Sequence, residues 1–244
     1  MKLITIYPSH YCLKVRWALE RFEVKYEEEV HPPLFHFFTT QKLGGKSTPI
    51  LQDGSNILKD STDILRYLDS KYSNQYNSLY PKNVEEEVLE LENFFDEKLG
   101  PHTRRVAYTF LLDHRDLVMP YFTKGSNFIE NNMFMASFPM VKFLMKKSFN
   151  ISPKSLEKSL SYIDKIFAKA EDILGNKEFL TGNDFTAADL TLCSLSAPII
   201  FPDEYEVQCF ENYPEDFKEI VNKYRKTKTG QFILDTFKKF RFKN

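Results

Sequence analysis

Every strand signal in the 244-residue chain lies within its first 58 residues, and beyond them only the helical period recurs. Lys2 to Tyr7 alternates β-branched and aromatic residues, Pro8-Ser9-His10 interrupts it, and Cys12 to Phe22 is amphipathic, which reads as strand, turn and helix. Val24 to Val30 predicts a second strand that Pro32-Pro33 ends. Gly44-Gly45 then turns into Ile50-Leu51, and Asp53-Gly54 is a hairpin signal before Ile57-Leu58. The third and fourth strands should therefore be antiparallel neighbours. Asp60 to Lys71 predicts a helix that buries Ile64, Leu65 and Leu68 behind an N-cap at Asp60 or Ser61. A strand, helix, strand unit within one sheet requires a right-handed crossover.

Ser73 to Lys82 is polar and Tyr-rich, as a linker would be, and places a boundary between domains at 1–73 and 83–244. Helical periodicity runs from Val84 to Val118, Ser152 to Leu174, Ala187 to Leu195 and Glu215 to Phe240. The 23 phenylalanines suit helix-on-helix packing. Residues 119–150 are Phe/Met-rich and less regular, and Phe134 to Met140 is either core or the wall of an apolar ligand pocket.

A formal net charge of −1 leaves no electrostatic footprint for nucleic acid. The amino terminus turns polar too soon for a secretory signal, and no apolar run reaches the roughly 18 residues that span a bilayer. These features predict a cytoplasmic protein with no membrane partner. Cys12, Cys193 and Cys209 are far apart and lack metal-ligand spacing, so neither a disulfide framework nor a metal site is expected.

Three local patterns in the first part, taken together, resemble the glutathione transferase superfamily. Ser9-His10-Tyr11-Cys12-Leu13-Lys14-Val15-Arg16-Trp17-Ala18-Leu19 is similar to the opening of its serine-type members. Gly45-Lys46-Ser47-Thr48-Pro49-Ile50-Leu51 is similar to the loop in which thioredoxin-like proteins hold a cis-proline. Leu58-Lys59-Asp60-Ser61-Thr62-Asp63-Ile64-Leu65-Arg66-Tyr67-Leu68 resembles the helix start that binds the γ-glutamyl end. In the helical part, Gly182 to Leu190 resembles a folding segment in which Thr186 and Asp189 make a capping box.

The resemblance implies an α/β thioredoxin-like N-terminal domain followed by an all-α C-terminal helical domain. It implies glutathione as co-substrate, an apolar electrophile as second substrate, a role in detoxification and a homodimer. Ser9 would donate a hydrogen bond to the thiolate, although a plain N-cap explains it too, and Tyr7 and His10 remain alternative activators. Lys46 would reach a glutathione carboxylate, or be merely solvated. Thr48 and Pro49 would hold the cysteinyl part, and Asp60 and Ser61 the γ-glutamyl end. Tyr11, Arg104, Arg105 and Tyr108 would line the electrophile pocket. Two other readings keep parts of this pattern: a non-catalytic binding module, and peroxide reduction or thiol transfer through Cys12.

Overall fold

The computed structural model describes residues 1–207 and 210–241, so Cys209 lies outside the described residues. Strand β1 (Lys2–Thr5) pairs in parallel with β2 (Glu27–Val30) and antiparallel with β3 (Ile50–Asp53), which forms the expected hairpin with β4 (Asn56–Leu58). The order β2-β1-β3-β4 is that of a thioredoxin-like sheet. Leu3, Ile4, Ile50 and Leu51 on the two central strands are fully buried.

Helix α1 (His10–Arg21) starts two residues earlier than its amphipathic pattern suggested, because Ser9 caps it. Helix α2 (His36–Lys42) was not legible in the sequence, where the loop after Pro32-Pro33 carries no helical period. Helix α3 (Ser61–Tyr72) is capped by Asp60, whose carboxylate accepts from the Thr62 amide at 2.8 Å.

All described elements after α3 are helical. The single run predicted from Val84 to Val118 is divided into α4 (Glu85–Lys98), α5 (Gly100–Leu111) and α6 (Arg115–Phe122). Residues 119–150, expected to be less regular, contain the 21-residue α7 (Phe128–Ser148) with Pro139 inside it. Proline offers no N–H to the carbonyl four residues back. Here the Met135 carbonyl that Pro139 leaves unserved accepts from the Arg115 guanidinium at 2.9 Å, and the helix continues. Helices α8 (Pro153–Leu174), α9 (Ala187–Ile200), α10 (Glu215–Arg225) and α11 (Lys228–Phe240) complete the fold, Thr227 capping the last and breaking one predicted run into two.

Helix α9 is the pillar of the molecule: every residue in it is buried, and it packs on α1, α4, α5, α10 and α11. Its start is set by Asp189, whose carboxylate accepts from the Leu180 and Thr186 amides, each at 2.9 Å, and from the Thr186 hydroxyl. Asp189→Ala would strand two buried amides, each costing about 1 to 3 kcal/mol. We expect a total loss of roughly 2 to 5 kcal/mol in urea unfolding, and a loss below about 1 kcal/mol would show that the segment re-forms its cap elsewhere.

Candidate active site

A helix N-terminus exposes unpaired N–H groups and a partial positive charge, so a hydroxyl placed there meets any bound anion. Ser9 occupies that position on α1, accepting from the Cys12 amide at a long 3.4 Å. The same hydroxyl lies within hydrogen-bond reach of the buried Cys12 thiol. Ser9 opens on a cleft of about 200 Å³ that is also lined by Tyr11, Lys46, Ser47 and Thr48. The Thr48–Pro49 peptide is cis, as expected.

The far wall comes from the helical part. Arg104 and Tyr108 of α5 face the cleft, together with Met145 and Ser148 of α7 and Phe149 just beyond it. Arg104 lies with its guanidinium 4.3 Å from the Phe149 ring centre, and its Nε is buried without a hydrogen-bond partner. No carboxylate pairs with Arg104 among the described residues. Behind it lies an apolar cavity of about 50 Å³ lined by residues such as Ala107, Leu111, Val118, Phe122 and Phe201. His10, Arg104 and Tyr108 line both spaces and so form the partition between them.

The remaining candidates divide clearly. Tyr11 keeps its ring in the cleft wall, but its hydroxyl donates to the Asp96 carbonyl at 2.7 Å. Arg105 turns away: its Nε donates to the Phe149 carbonyl at 2.8 Å and Nη1 to Ser159 Oγ at 2.9 Å. It does not line the cleft. Tyr7 does not line it either, its ring lying under Lys124 and Arg16. Asp60 and Ser61 sit at the start of α3, outside the cleft lining, yet α3 is drawn to α1 by Lys14, whose Nζ donates to the Thr62 hydroxyl at 3.3 Å. The Ser61 hydroxyl has no partner among the described residues. Burial pushes the Cys12 thiol up, which keeps it protonated beneath Ser9.

Sequence reasoning missed Pro33, Leu34, Phe37, Met145, Ser148 and Phe149 as wall residues. Ser148 gave no signal, and that of the others was apolar character in segments without regular period.

Residues 3–76 match the family model described as glutathione S-transferase, N-terminal domain. That stretch, less than half of the chain, is similar to the amino-terminal domain of glutathione S-transferases. No curated protein matches it by sequence. Among solved structures, glutathione S-transferase III in apo form is 16% identical with a TM-score of 0.59, covering 100% of this chain and 98% of that one. The beta-etherase LigF from Sphingobium sp. strain SYK-6 is 16% identical with a TM-score of 0.61, covering 96% and 98%. Human glutathione-S-transferase T1-1 in apo form is 21% identical with a TM-score of 0.57, covering 96% and 89%. At such identities the likeness shows the fold, and it runs through the transferase helical region as well as the sheet.

Within this transferase fold His10 has a structural role. Its Nε2 donates to the Gly100 carbonyl at 3.0 Å, and burial together with the neighbouring Arg104 pushes its pKa down from 6.5 to about 3. Below pH 6.5 the unfolded chain takes up a proton at His10 that the folded chain refuses, so its contribution to stability is complete above 6.5 and falls as pH drops toward 3. The slope is up to about 1.4 kcal/mol per pH unit. His36 and His102, both pushed down to about 4 chiefly by burial, act with the same sign. We expect His10→Asn, which keeps a donor for Gly100 but cannot titrate, to flatten the decline in urea stability relative to the parent. An identical pH profile in both proteins would contradict a neutral buried His10.

Proposed function

We propose that the protein conjugates the glutathione thiolate to an apolar electrophile. The observation that carries this reading is the Ser9 hydroxyl, at a helix N-terminus and lining, with the Lys46–Thr48 loop, a cleft that adjoins an apolar cavity. The glutathione S-transferase-I structure bound with lactoylglutathione supports glutathione as the co-substrate.

In this reading residues 1–73 bind glutathione and 83–244 supply the electrophile pocket. The Thr48 backbone beside Pro49 pairs with the cysteinyl part, Lys46 meets the glycyl carboxylate, and Asp60 and Ser61 hold the γ-glutamyl ammonium and carboxylate. Ser9 donates its hydrogen to the thiolate, and the unpaired Arg104 cation favours the same negative charge. Sulfur then forms a bond to the electrophilic carbon while the leaving group or the conjugated system takes the electron pair. Tyr11, Tyr108 and the small apolar cavity present the electrophile, and proximity supplies much of the rate. Arg105, committed to the Phe149 carbonyl and Ser159, takes no part in presenting the electrophile. The protonated, buried Cys12 favours conjugation over thiol transfer. The same reading includes a cytoplasmic homodimer acting in detoxification.

Ser9→Ala should raise the pKa of the bound thiol by about one unit or more, equal to about 1.4 kcal/mol. Titration of the bound thiolate by its ultraviolet absorbance measures this. The conjugation rate near pH 6.5 should fall by about tenfold while glutathione affinity changes little. An unchanged thiol pKa would remove Ser9 from the mechanism.

Ser61→Ala should weaken glutathione binding by roughly 1 to 3 kcal/mol, the scale for a hydrogen bond to a charged group. Calorimetric titration checks it, and an unchanged dissociation constant would displace the γ-glutamyl end from α3.

A further inference from the structure

An apolar helix face is normally buried. Helix α7 has apolar residues on two opposite sides and buries only one of them. Phe134, Phe138, Val141 and Met145 face the protein and are buried. The opposite side carries Ile129 (70% exposed), Met133 (56%), Met140 (62%), Phe143 (61%) and Leu144 (42%), with Phe128 (81%) at its start. Residues 129, 133, 136, 140 and 143 are spaced by four, three, four and three, so they form one continuous stripe along the roughly 30 Å of the helix. An outward apolar area on the order of several hundred Å² on a single helix marks an interaction surface.

Charge selects the occupant. From Leu117 to Leu156 the chain has five lysines, 124, 142, 146, 147 and 154, and one acidic residue, Glu130. This segment therefore carries +4, leaving −5 for the rest of a chain whose net charge is −1. Glu130 is turned inward onto His31 at 2.9 Å, so it offers nothing to the outer face. Asp113 engages Lys142 and Lys146, whereas exposed Lys147 and Lys154 have no acidic partner among the described residues. Lys147 continues the apolar stripe, seven residues after Met140. Two copies meeting through this face would bring like charges together, which opposes self-association. An anionic lipid surface satisfies both features, taking Phe, Met and Ile side chains into the headgroup boundary while lysines meet the phosphates.

We propose that the outer face of α7 seats the protein on anionic membrane surfaces, independently of the reaction proposed for the cleft. No helix among the described residues is long and apolar enough to cross a membrane, and a helix lying in the interface needs no such span. The sequence-based expectation of no membrane partner considered only spanning segments.

Flotation of the full chain with vesicles tests this directly. In about 0.1 M salt, the protein should float with phosphatidylcholine vesicles containing about 30% phosphatidylserine, and at least about tenfold less with phosphatidylcholine alone. Met140→Ser combined with Phe143→Ser should abolish flotation with an unchanged melting temperature, since both side chains are exposed. Lys147→Glu with Lys154→Glu should reduce it by about tenfold. Failure of the parent protein to float with anionic vesicles would overturn the proposal, as would undiminished flotation of the Met140/Phe143 variant. A dimer in sedimentation that this variant dissociates, without vesicle binding by either protein, would assign the face to a second copy instead.

Discussion

Lys14 is a fully buried ammonium, and the relation between the sheet part and the helical part is organised around satisfying it. Burying an unpaired charge is prohibitive, whereas one that is paired and hydrogen-bonded is tolerated. Lys14 Nζ lies 2.8 Å from Glu92 and 2.7 Å from Asp96 of α4, and it also reaches Thr62 of α3. Burial pulls the ammonium down, and the two carboxylates outweigh that effect, so Lys14 remains charged. The Thr62 hydroxyl lies 3.0 Å from both carboxylates, and Tyr80 donates to Glu92 at 2.8 Å. One cation on α1 thus ties together the starts of α1 and α3, which carry Ser9 and Ser61, and anchors both to α4.

The neighbouring geometry depends on this junction. Helix α5 approaches α1 so closely that a Cβ on Gly100 would lie 2.3 Å from the Tyr11 hydroxyl oxygen, and the Gly100 carbonyl is the acceptor for His10. Arg104, one turn along α5, is thereby brought to the cleft. A second buried cation, Arg16, reaches Glu28 at 2.7 Å and Glu206 at 3.3 Å, and Glu206 in turn pairs with Arg241, which also contacts Glu20. This joins the sheet and α1 to the carboxy-terminal helices. Helix α7 is attached more lightly, through Glu130 on His31, Phe134 on Phe35 and Phe122, and Arg115 on the Met135 carbonyl. Its carboxy-terminal turn still supplies the outer wall of the cleft.

The elements legible in the sequence were those governed by local chemistry: the Asp53-Gly54 hairpin, the Ser9 and Asp60 caps, and the Thr186 to Asp189 segment. Features that were not legible depend on contacts distant in the chain. Residues 119–150 read as less regular, and nothing near Pro139 reveals that Arg115 serves the carbonyl it orphans. Lys14 and Arg16 belonged to a recognisable motif, but their burial required carboxylates from α4, β2 and the segment after α9. His10 stood as an alternative activator in the sequence, and only the approach of Gly100 makes it a donor to a buried carbonyl. Arg104 and Arg105 are adjacent in sequence, yet helical geometry sends one to the cleft and the other to α8.

The central claim is that Ser9, the Lys46–Thr48 loop and the start of α3 form one glutathione site, held in register by Lys14. Amide chemical-shift mapping on the full chain during titration with glutathione tests it most directly. The account predicts saturable shifts concentrated at residues 9–12, 46–48 and 61–62, with a common dissociation constant. Shifts confined to one of these segments, or saturation elsewhere in the molecule, would contradict it.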